Sequence, residues 1–340
     1  MLNPATPRVG LVGGGIRGSM FATTVQQYPD AELVALCDPS PAVRERNAAA
    51  LAIPVYPDTA AMLQAHPELT AAIIATPDFA HREPAVLCLE RGLDILVEKP
   101  LATTSEDARA ILRASEASGS RVVVGFENRW NQKFIEARKL LAEDAHGAMV
   151  IQVANLNDTR WVPTQMLSWA ARSSPAWFLM PHTLDLTMWL SGTTPTEVFA
   201  RGTKIVLPSV GVETWDSVTA SFSMSDGSVA VLNSTWVLPE TAPSVFDFRY
   251  EVHTSSSSFY FDISNDGVTH YGADGVTWPG FGVYERHGRL HGIPIDMATD
   301  FLAVLNGEKY DLPDAAYGCL VTNAIEAVHR SLESGLPQVI

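Results

Sequence analysis

The chain opens with short apolar runs and helix-period segments in alternation. A run at 9–12 is followed by a 3.6-period segment at 16–27, and a second run at 32–37 by a segment at 43–51. The runs at 71–75 (AAIIA), 94–97 (DILV) and 121–125 (RVVVG) are short, β-branched and bounded by turn residues. Helices are predicted between them at 81–91 and 105–118. Strands that alternate with helices cannot join as tight hairpins; each crossover lays a helix on a sheet face, so the pattern predicts a doubly wound parallel sheet.

Beyond residue 126 the pattern changes. A helix is predicted at 133–143, a strand at 150–156, and then a long loop rich in Trp, Ser and Pro. Between 198 and 271, segments such as GSVAVLNSTWVL and SSSFYFDI read as strands with no helices between them, which predicts an antiparallel or mixed sheet in an α+β unit. The serine run at 255–258 reads as a turn, residues 264–292 as loops or short edge strands, and helices at 295–306 and 314–335 close the chain. A chain of 340 residues exceeds the roughly 250 at which single cores split. The expected division is a dinucleotide-binding domain at 1–125 and a substrate-binding and oligomerisation domain at 126–340.

Composition narrows the function. With 46% hydrophobic and 18% charged residues the chain has enough apolar material for large cores. A net charge of −15 with no Lys/Arg stripe argues against nucleic acid as a partner. The first residues lack a basic region followed by a long apolar run, so no signal peptide is expected, and no window reaches the roughly 20 apolar residues of a membrane span. Three widely spaced cysteines (Cys37, Cys88, Cys319) suit a reducing, cytoplasmic setting.

The strongest local chemistry is Gly13-Gly14-Gly15-Ile16-Arg17-Gly18, placed after a strand and before a helix as a GxGxxG fingerprint requires. Gly13 permits the tight turn, Gly15 lets the backbone approach a pyrophosphate, and Gly18 lets helix and strand pack closely. Ile16 and Arg17 open the helix whose amino terminus would face the phosphates. About 20 residues later Asp38 ends the second strand, where its carboxylate can accept from both ribose hydroxyls and would repel a 2′-phosphate. NAD is therefore expected over NADP, although Arg17 and Arg44 could neutralise a phosphate. The domain is a Rossmann domain on this reading.

Ala75-Thr76-Pro77, His81 and Val97-Glu98-Lys99-Pro100 fall at the carboxyl ends of predicted strands, the edge where doubly wound folds bind ligands. These motifs, the fingerprint, the strand RVVVGF and the closing pattern Leu305-Asn306-Gly307 then Glu333-Ser334-Gly335 together resemble the glucose-fructose oxidoreductase/inositol dehydrogenase (Gfo/Idh/MocA) family over essentially the whole chain. The resemblance implies that Lys99 lies by the nicotinamide and the substrate hydroxyl, where a partly buried lysine could transfer the proton. It also implies a cis bond before Pro100, Glu98 orienting Lys99 or the carboxamide, Thr76 and Pro77 by the nicotinamide ribose, and His81 near the cofactor. Asn128 and Arg129 are placed at the substrate.

In the second domain the family has an Asp, a His four residues later and another Asp three after that. Here His182 and Asp185 match, but Phe178 stands at the first position. His182 is expected as a general base and Asp185 as a less secure catalytic group. Another acid such as Asp158 could replace the missing one, the substrate could present an apolar face to Phe178, or the chemistry could be weakened; a changed substrate is favoured. Arg160, Trp161, Trp169 and Arg172 lie on the preceding loop, where they suit a polyhydroxylated ring or a carboxylate. His287 and His291 flank Gly288 and do not make a rigid pair, so no metal is expected.

The expected activity is oxidation, or reduction, at a secondary alcohol of a sugar, inositol or related polyol, with Lys99 and His182 handling the proton. Two alternatives are redox-assisted glycoside cleavage with retained NAD and a non-catalytic NAD-binding sugar sensor. The family often assembles through the outer sheet face of the second domain, and apolar alternation at 230–237 would suit burial there, so a homodimer or homotetramer is expected.

Overall fold

The computed structural model describes residues 6–143, 146–264, 270–272, 275–277 and 282–340. The first elements follow the predicted alternation: β1 (Arg8–Val12), α1 (Ile16–Gln27), β2 (Glu32–Cys37), α2 (Pro41–Leu51), β3 (Val55–Tyr56), α3 (Thr59–Ala65), β4 (Ala71–Ile74), α4 (Arg82–Glu90), β5 (Asp94–Glu98), α5 (Ser105–Ser118) and β6 (Val122–Gly125). The six strands pair in the order β3-β2-β1-β4-β5-β6, all parallel. The order reverses beside β1, which is where a doubly wound sheet opens a crevice for a ligand.

Local signals set the helix ends. Thr104 accepts from the Asp107 N–H at 3.1 Å to cap α5, and Gly119 ends it in the left-handed region at φ 72°. Asp58 caps α3 by accepting from the Ala61 N–H at 2.8 Å. Neither β3 nor α3 was anticipated, because two residues carry no periodicity and the TAAMLQA helix is short. β4 and β6 are buried along their whole length, as strands covered by helices on both faces must be.

The remaining elements are α6 (Gln132–Leu141), β7 (Met149–Thr159), α7 (Pro175–Phe178), α8 (Met180–Ser191), β8 (Pro195–Thr203), α9 (Val206–Ser209), β9 (Ser217–Met224), β10 (Val229–Leu238), β11 (Phe246–Thr254), β12 (Ser258–Asp262), β13 (His270–Gly272), β14 (Gly275–Thr277), β15 (Val283–Arg286), β16 (Arg289–Gly292), α10 (Ile293–Leu305), α11 (Ala315–Ser334) and β17 (Gln338–Val339). Seven of these strands form one mixed sheet, β12-β11-β7-β10-β9-β8-β17, in which β7 and β10 run parallel and the other pairs antiparallel. Its inner face carries Ala154, Leu156, Phe222, Leu232, Trp236 and Tyr250, all buried, and α8 packs on it through β7 and β10. The alternate positions Thr219, Ser221, Ser223 and Val229 are exposed on the other face.

The serine run is a turn joining β11 to β12, closed by the Thr254 N–H donating to the Ser257 carbonyl at 2.9 Å. The region read as loops or edge strands contains two small hairpins, β13 with β14 and β15 with β16; residues 265–269, 273–274 and 278–281 lie outside the described set.

The chain packs as two units, and neither is continuous. Residues 1–127 associate with 282–319, and 128–281 with 320–340, where the sequence had suggested a single cut at 125/126. The return to the first unit has a physical cause: α10 is strongly apolar and packs on α1, Arg121 Nη1 donates to the Val304 carbonyl at 3.1 Å, and the Val124 N–H donates to the Pro313 carbonyl at 2.8 Å. No local pattern announces a return of this kind.

Candidate functional site

In the first unit the candidate surface is built from main chain at the ends of β1, β2, β4 and β5. Gly13 turns the chain at φ 91°, and a Cβ there would stand 2.6 Å from the Ala75 carbonyl oxygen. At Gly18 a Cβ would collide with the Gly13 carbonyl oxygen, whereas at Gly15 it would meet nothing within 4 Å. Gly13 and Gly18 are thus required by the fold, and Gly15 leaves open space beside the amino terminus of α1. There the N–H groups of Ile16 and Arg17 have no acceptor within the helix. A pyrophosphate fits such a cradle.

Asp38 follows β2 directly. It accepts from the Gly14 N–H at 2.9 Å and from the Ser40 N–H at 2.8 Å, which fixes the carboxylate at the edge of the glycine turn. Each oxygen keeps a further lone pair for a ribose hydroxyl. Arg44, one of the two residues that could have met a 2′-phosphate, donates from Nη1 to the Asp38 and Pro39 carbonyls at 2.7 and 2.9 Å. Arg46 and Asn47, unremarked in the sequence, both donate to the Gly14 carbonyl, at 2.7 and 3.0 Å, and pin the turn from behind.

Arg17, the other such residue, is turned inward. Its Nε lies 3.2 Å from Glu98 Oε1, its Nη1 2.8 Å from Glu127 Oε2, and its Nη2 3.0 Å from Glu127 Oε1. Burial works against the Arg17 charge, but Glu127 and Glu98 outweigh it and hold the guanidinium firmly protonated. Glu127 was missed in the sequence; the only signal was its place two residues after β6.

Lys99 follows β5 and is 8% exposed, and its N–H donates to Glu98 Oε2 at 3.2 Å. Burial pulls its ammonium below the ordinary lysine value; Glu98, Glu127 and Asp78 oppose that shift and Arg17 adds to it. Burial likewise pushes Glu98 above the usual carboxylate range, with Glu127 reinforcing and Arg17 and Lys99 opposing. The Lys99–Pro100 bond is cis, as the family resemblance implied. Thr76 Oγ1 donates to the Ala80 carbonyl at 3.1 Å, and Pro77 starts the turn to Asp78.

His81 is 1% exposed, with Nδ1 2.7 Å from the Pro100 carbonyl and Nε2 3.1 Å from the Thr76 carbonyl. Burial lowers its pKa from 6.5 to about 4, against those two carbonyls. Both ring nitrogens thus face main-chain carbonyls, and the ring joins the turn after β4 to the turn after β5.

In the second unit, side chains from separate elements converge. The Asn128 amide nitrogen lies 3.1 Å from His182 Nδ1, so Nδ1 accepts and the neutral ring carries its proton on Nε2. One turn along α8, Asp185 is fully buried and held by Arg129, with Nη2–Oδ1 at 2.6 Å and Nε–Oδ2 at 3.2 Å. This bidentate pair fixes the stretch after β6 against the helix that carries His182. Asp185 is therefore placed to brace, through Arg129, the element that bears the histidine.

Phe178 is half-buried at the end of α7, with its ring centroid 6.1 Å from Trp169 and 5.7 Å from Trp236. Phe178 and the two indoles form an aromatic wall. Asp158 is buried near the end of β7. Arg160 and Trp161 are exposed, and Arg172 borders a separate open cavity of about 250 Å³ that also involves Lys204, Trp215 and His329. Ser234 Oγ and Trp236 Nε1, adjacent on the inner face of β10, are buried without a hydrogen-bond partner among the described residues, which the strand alternation did not disclose. His287 stands in the β15–β16 turn while His291 stacks on Tyr284, and among the described residues no group of three or more His, Cys, Asp or Glu is arranged to hold a metal.

Comparison with known proteins identifies the family. Residues 7–126 match the oxidoreductase family with an NAD-binding Rossmann fold, and residues 134–260 match the GFO/IDH/MocA carboxyl-terminal domain. The chain belongs to this Gfo/Idh/MocA family, as its motifs suggested. It is an NAD(P)-dependent oxidoreductase of the CH–OH class. Inositol 2-dehydrogenase of Rhizobium meliloti (strain 1021) is 28% identical over 255 residues, 74% of each chain. Inositol 2-dehydrogenase of Rubrobacter xylanophilus is 26% identical over 344 residues, 98% of this chain and 92% of that one. The crystal structure of myo-inositol 2-dehydrogenase from Lactobacillus plantarum superposes with a TM-score of 0.83 at 20% identity, over 98% of this chain and 99% of that one, and shares the fold. No helix among the described residues is long and apolar enough to cross a membrane.

Proposed function

We propose that the protein oxidises a secondary alcohol of an inositol, sugar or related polyol with NAD, in the readily reversible manner of such couples. The observation that carries this reading is Lys99, a buried lysine with a lowered pKa at the carboxyl end of β5, in the same unit as a glycine turn shaped for a dinucleotide. Bound NAD supplies the hydride acceptor. The residues assigned to its binding are Gly13, Gly15, Ile16, Arg17 and Gly18 through main chain, Asp38 at the ribose, and Thr76, Pro77, Glu98 and Lys99 at the nicotinamide end. His81 supports them by bracing Thr76 and Pro100.

In the oxidation, hydride leaves the carbinol carbon as the hydroxyl proton passes to the neutral Lys99 amine, and a carbonyl product remains. A lysine that sheds its proton below the usual range suits this step. His182, with its proton on Nε2, stabilises the developing alkoxide as a hydrogen-bond donor, and Asn128 holds that tautomer. In the reverse direction the protonated lysine delivers the proton to the carbonyl oxygen while the His182 Nε2–H donates a hydrogen bond to it. Arg160 and Trp161 are assigned to the substrate's outer hydroxyls, and Phe178 to an apolar C–H face of its ring.

Asp38 with its two main-chain donors, and the prior engagement of Arg17 and Arg44, favour NAD over NADP. The outer face of the seven-stranded sheet is assigned to assembly into a homodimer or homotetramer in the cytoplasm. The test is NADH or NADPH formation with a panel of inositols, aldoses and sugar acids, each cofactor in parallel. Turnover of a panel polyol with NAD is expected. Tight NAD binding with no net reduction of it by any panel member would sink the dehydrogenase reading in favour of a retained-cofactor lyase or a sensor.

A further inference from the structure

The Arg17 cluster is more than a packing device. Three charged side chains, Arg17, Glu98 and Glu127, meet where α1, β5 and the stretch after β6 converge within the first unit, and the charge of Lys99, next to Glu98 in the chain, interacts with all three. Arg17 takes one contact to Glu98 and two to Glu127, while Lys99 is tied to the other Glu98 oxygen through its own N–H. With Lys99 protonated, the charges of these four groups sum to zero only while Arg17 is present. Without it, Lys99 would be the lone full cation facing two carboxylates, with Asp78 a third and buried His81 neutral beside them.

We infer that Arg17 is a positioning residue for proton transfer at Lys99: its guanidinium clamps Glu98 and Glu127 and takes the share of their negative charge that would otherwise fall on the lysine. The inference rests on the proposed role of Lys99. It also reassigns the Arg17 side chain, because a guanidinium committed to two carboxylates serves the lysine while the main chain of the same residue serves the phosphates. Glu127 is the necessary counterpart, since Arg17 spends two of its three close contacts there.

The physical consequence has a sign. Two carboxylates released from Arg17 would favour the ammonium of Lys99, so the lysine would keep its proton to higher pH and become a poorer base. Removing Glu127 would do the reverse. Simple damage to the cluster would move both variants the same way.

The test is peptide-resolved competitive acetylation of Lys99 with acetic anhydride, measured against a surface lysine in the whole protein without cofactor. In Arg17→Gln the labelling rate near neutral pH is expected to fall roughly tenfold, in Arg17→Lys to recover most of that loss, and in Glu127→Gln to rise. An unchanged rate in Arg17→Gln, or shifts of the same direction in Arg17→Gln and Glu127→Gln, would overturn the inference. If Arg17→Gln does not fold, Glu127→Gln decides alone, and a fall or no change there counts against it. A pH profile of kcat/KM for alcohol oxidation adds the catalytic readout, with its acid limb expected at higher pH in Arg17→Gln. A wild type that turns over no polyol would remove the proposed function while the labelling still decides the charge-sharing role.

Discussion

The two units build their candidate surfaces from different materials. In the first, main-chain atoms at successive strand ends do the shaping, and the residues that matter are those whose side chains are missing or constrained: Gly13, Gly15, Gly18 and Pro100. In the second, the surface is a meeting of side chains from positions far apart in sequence, Asn128 with His182 and Arg129 with Asp185. A main-chain cradle is written in local sequence, because only glycine tolerates the turn or the close approach. A side-chain cluster exists only once tertiary packing has brought its partners together.

The largest effect should come from the second unit. Asp185→Ala removes the carboxylate that the buried Arg129 guanidinium binds, a loss of about 3–5 kcal/mol, and replacing both residues with apolar ones of similar volume should recover most of it. Denaturant melts of the three proteins check this. A single variant as stable as wild type would mean that the pair does not hold the helix bearing His182.

Next in size is a pH effect confined to the first unit. His81 titrates at about 4 when folded and at 6.5 when free, so between those values the unfolded chain binds more protons. The sign follows: stability is full above about pH 6.5 and falls as pH drops towards 4, by about 3 kcal/mol from this group. Wild type and His81→Gln melts across that range should show the slope in the former and a shallower one in the latter. Parallel slopes would remove His81 as the cause.

The glycines sharpen the contrast at smaller cost. Gly18→Ala forces a methyl into the Gly13 carbonyl and should cost roughly 1–3 kcal/mol of stability, while Gly15→Ala has room and should stay within about 0.5 kcal/mol. The loss in Gly15→Ala should appear in NAD affinity instead. Equal destabilisation of both would erase the distinction between a glycine the fold needs and one the ligand needs.

This contrast also explains what the sequence could show. α1 and α5 were legible to the residue, the first from the strand–glycine–helix context and the second from Thr104 and Gly119 at its ends. β3, two residues long, carries no periodicity, and the return of 282–319 to the first unit is a long-range event that α10 achieves through an apolar face with no local mark of its partner. At the site, Gly13, Asp38 and Lys99 were readable because each sits at a strand end. The actual partners of Arg17, His81 and Asp185 were not, since Glu127, Pro100 and Arg129 are neighbours only in space. Phe178 was conspicuous as a departure, but its packing on Trp236, 58 residues away, could only be seen in the fold.

The central claim is that Lys99 handles the proton in an NAD-dependent alcohol oxidation. Lys99→Met tests it most directly, with NAD affinity followed by fluorescence titration and turnover by NADH formation on the best polyol of the panel. The account predicts that NAD still binds, weakened by the loss of the Lys99 contact at the nicotinamide end, and that turnover at saturating NAD is lower by about 10²–10⁴-fold. Turnover within a few-fold of wild type at saturating NAD would contradict it.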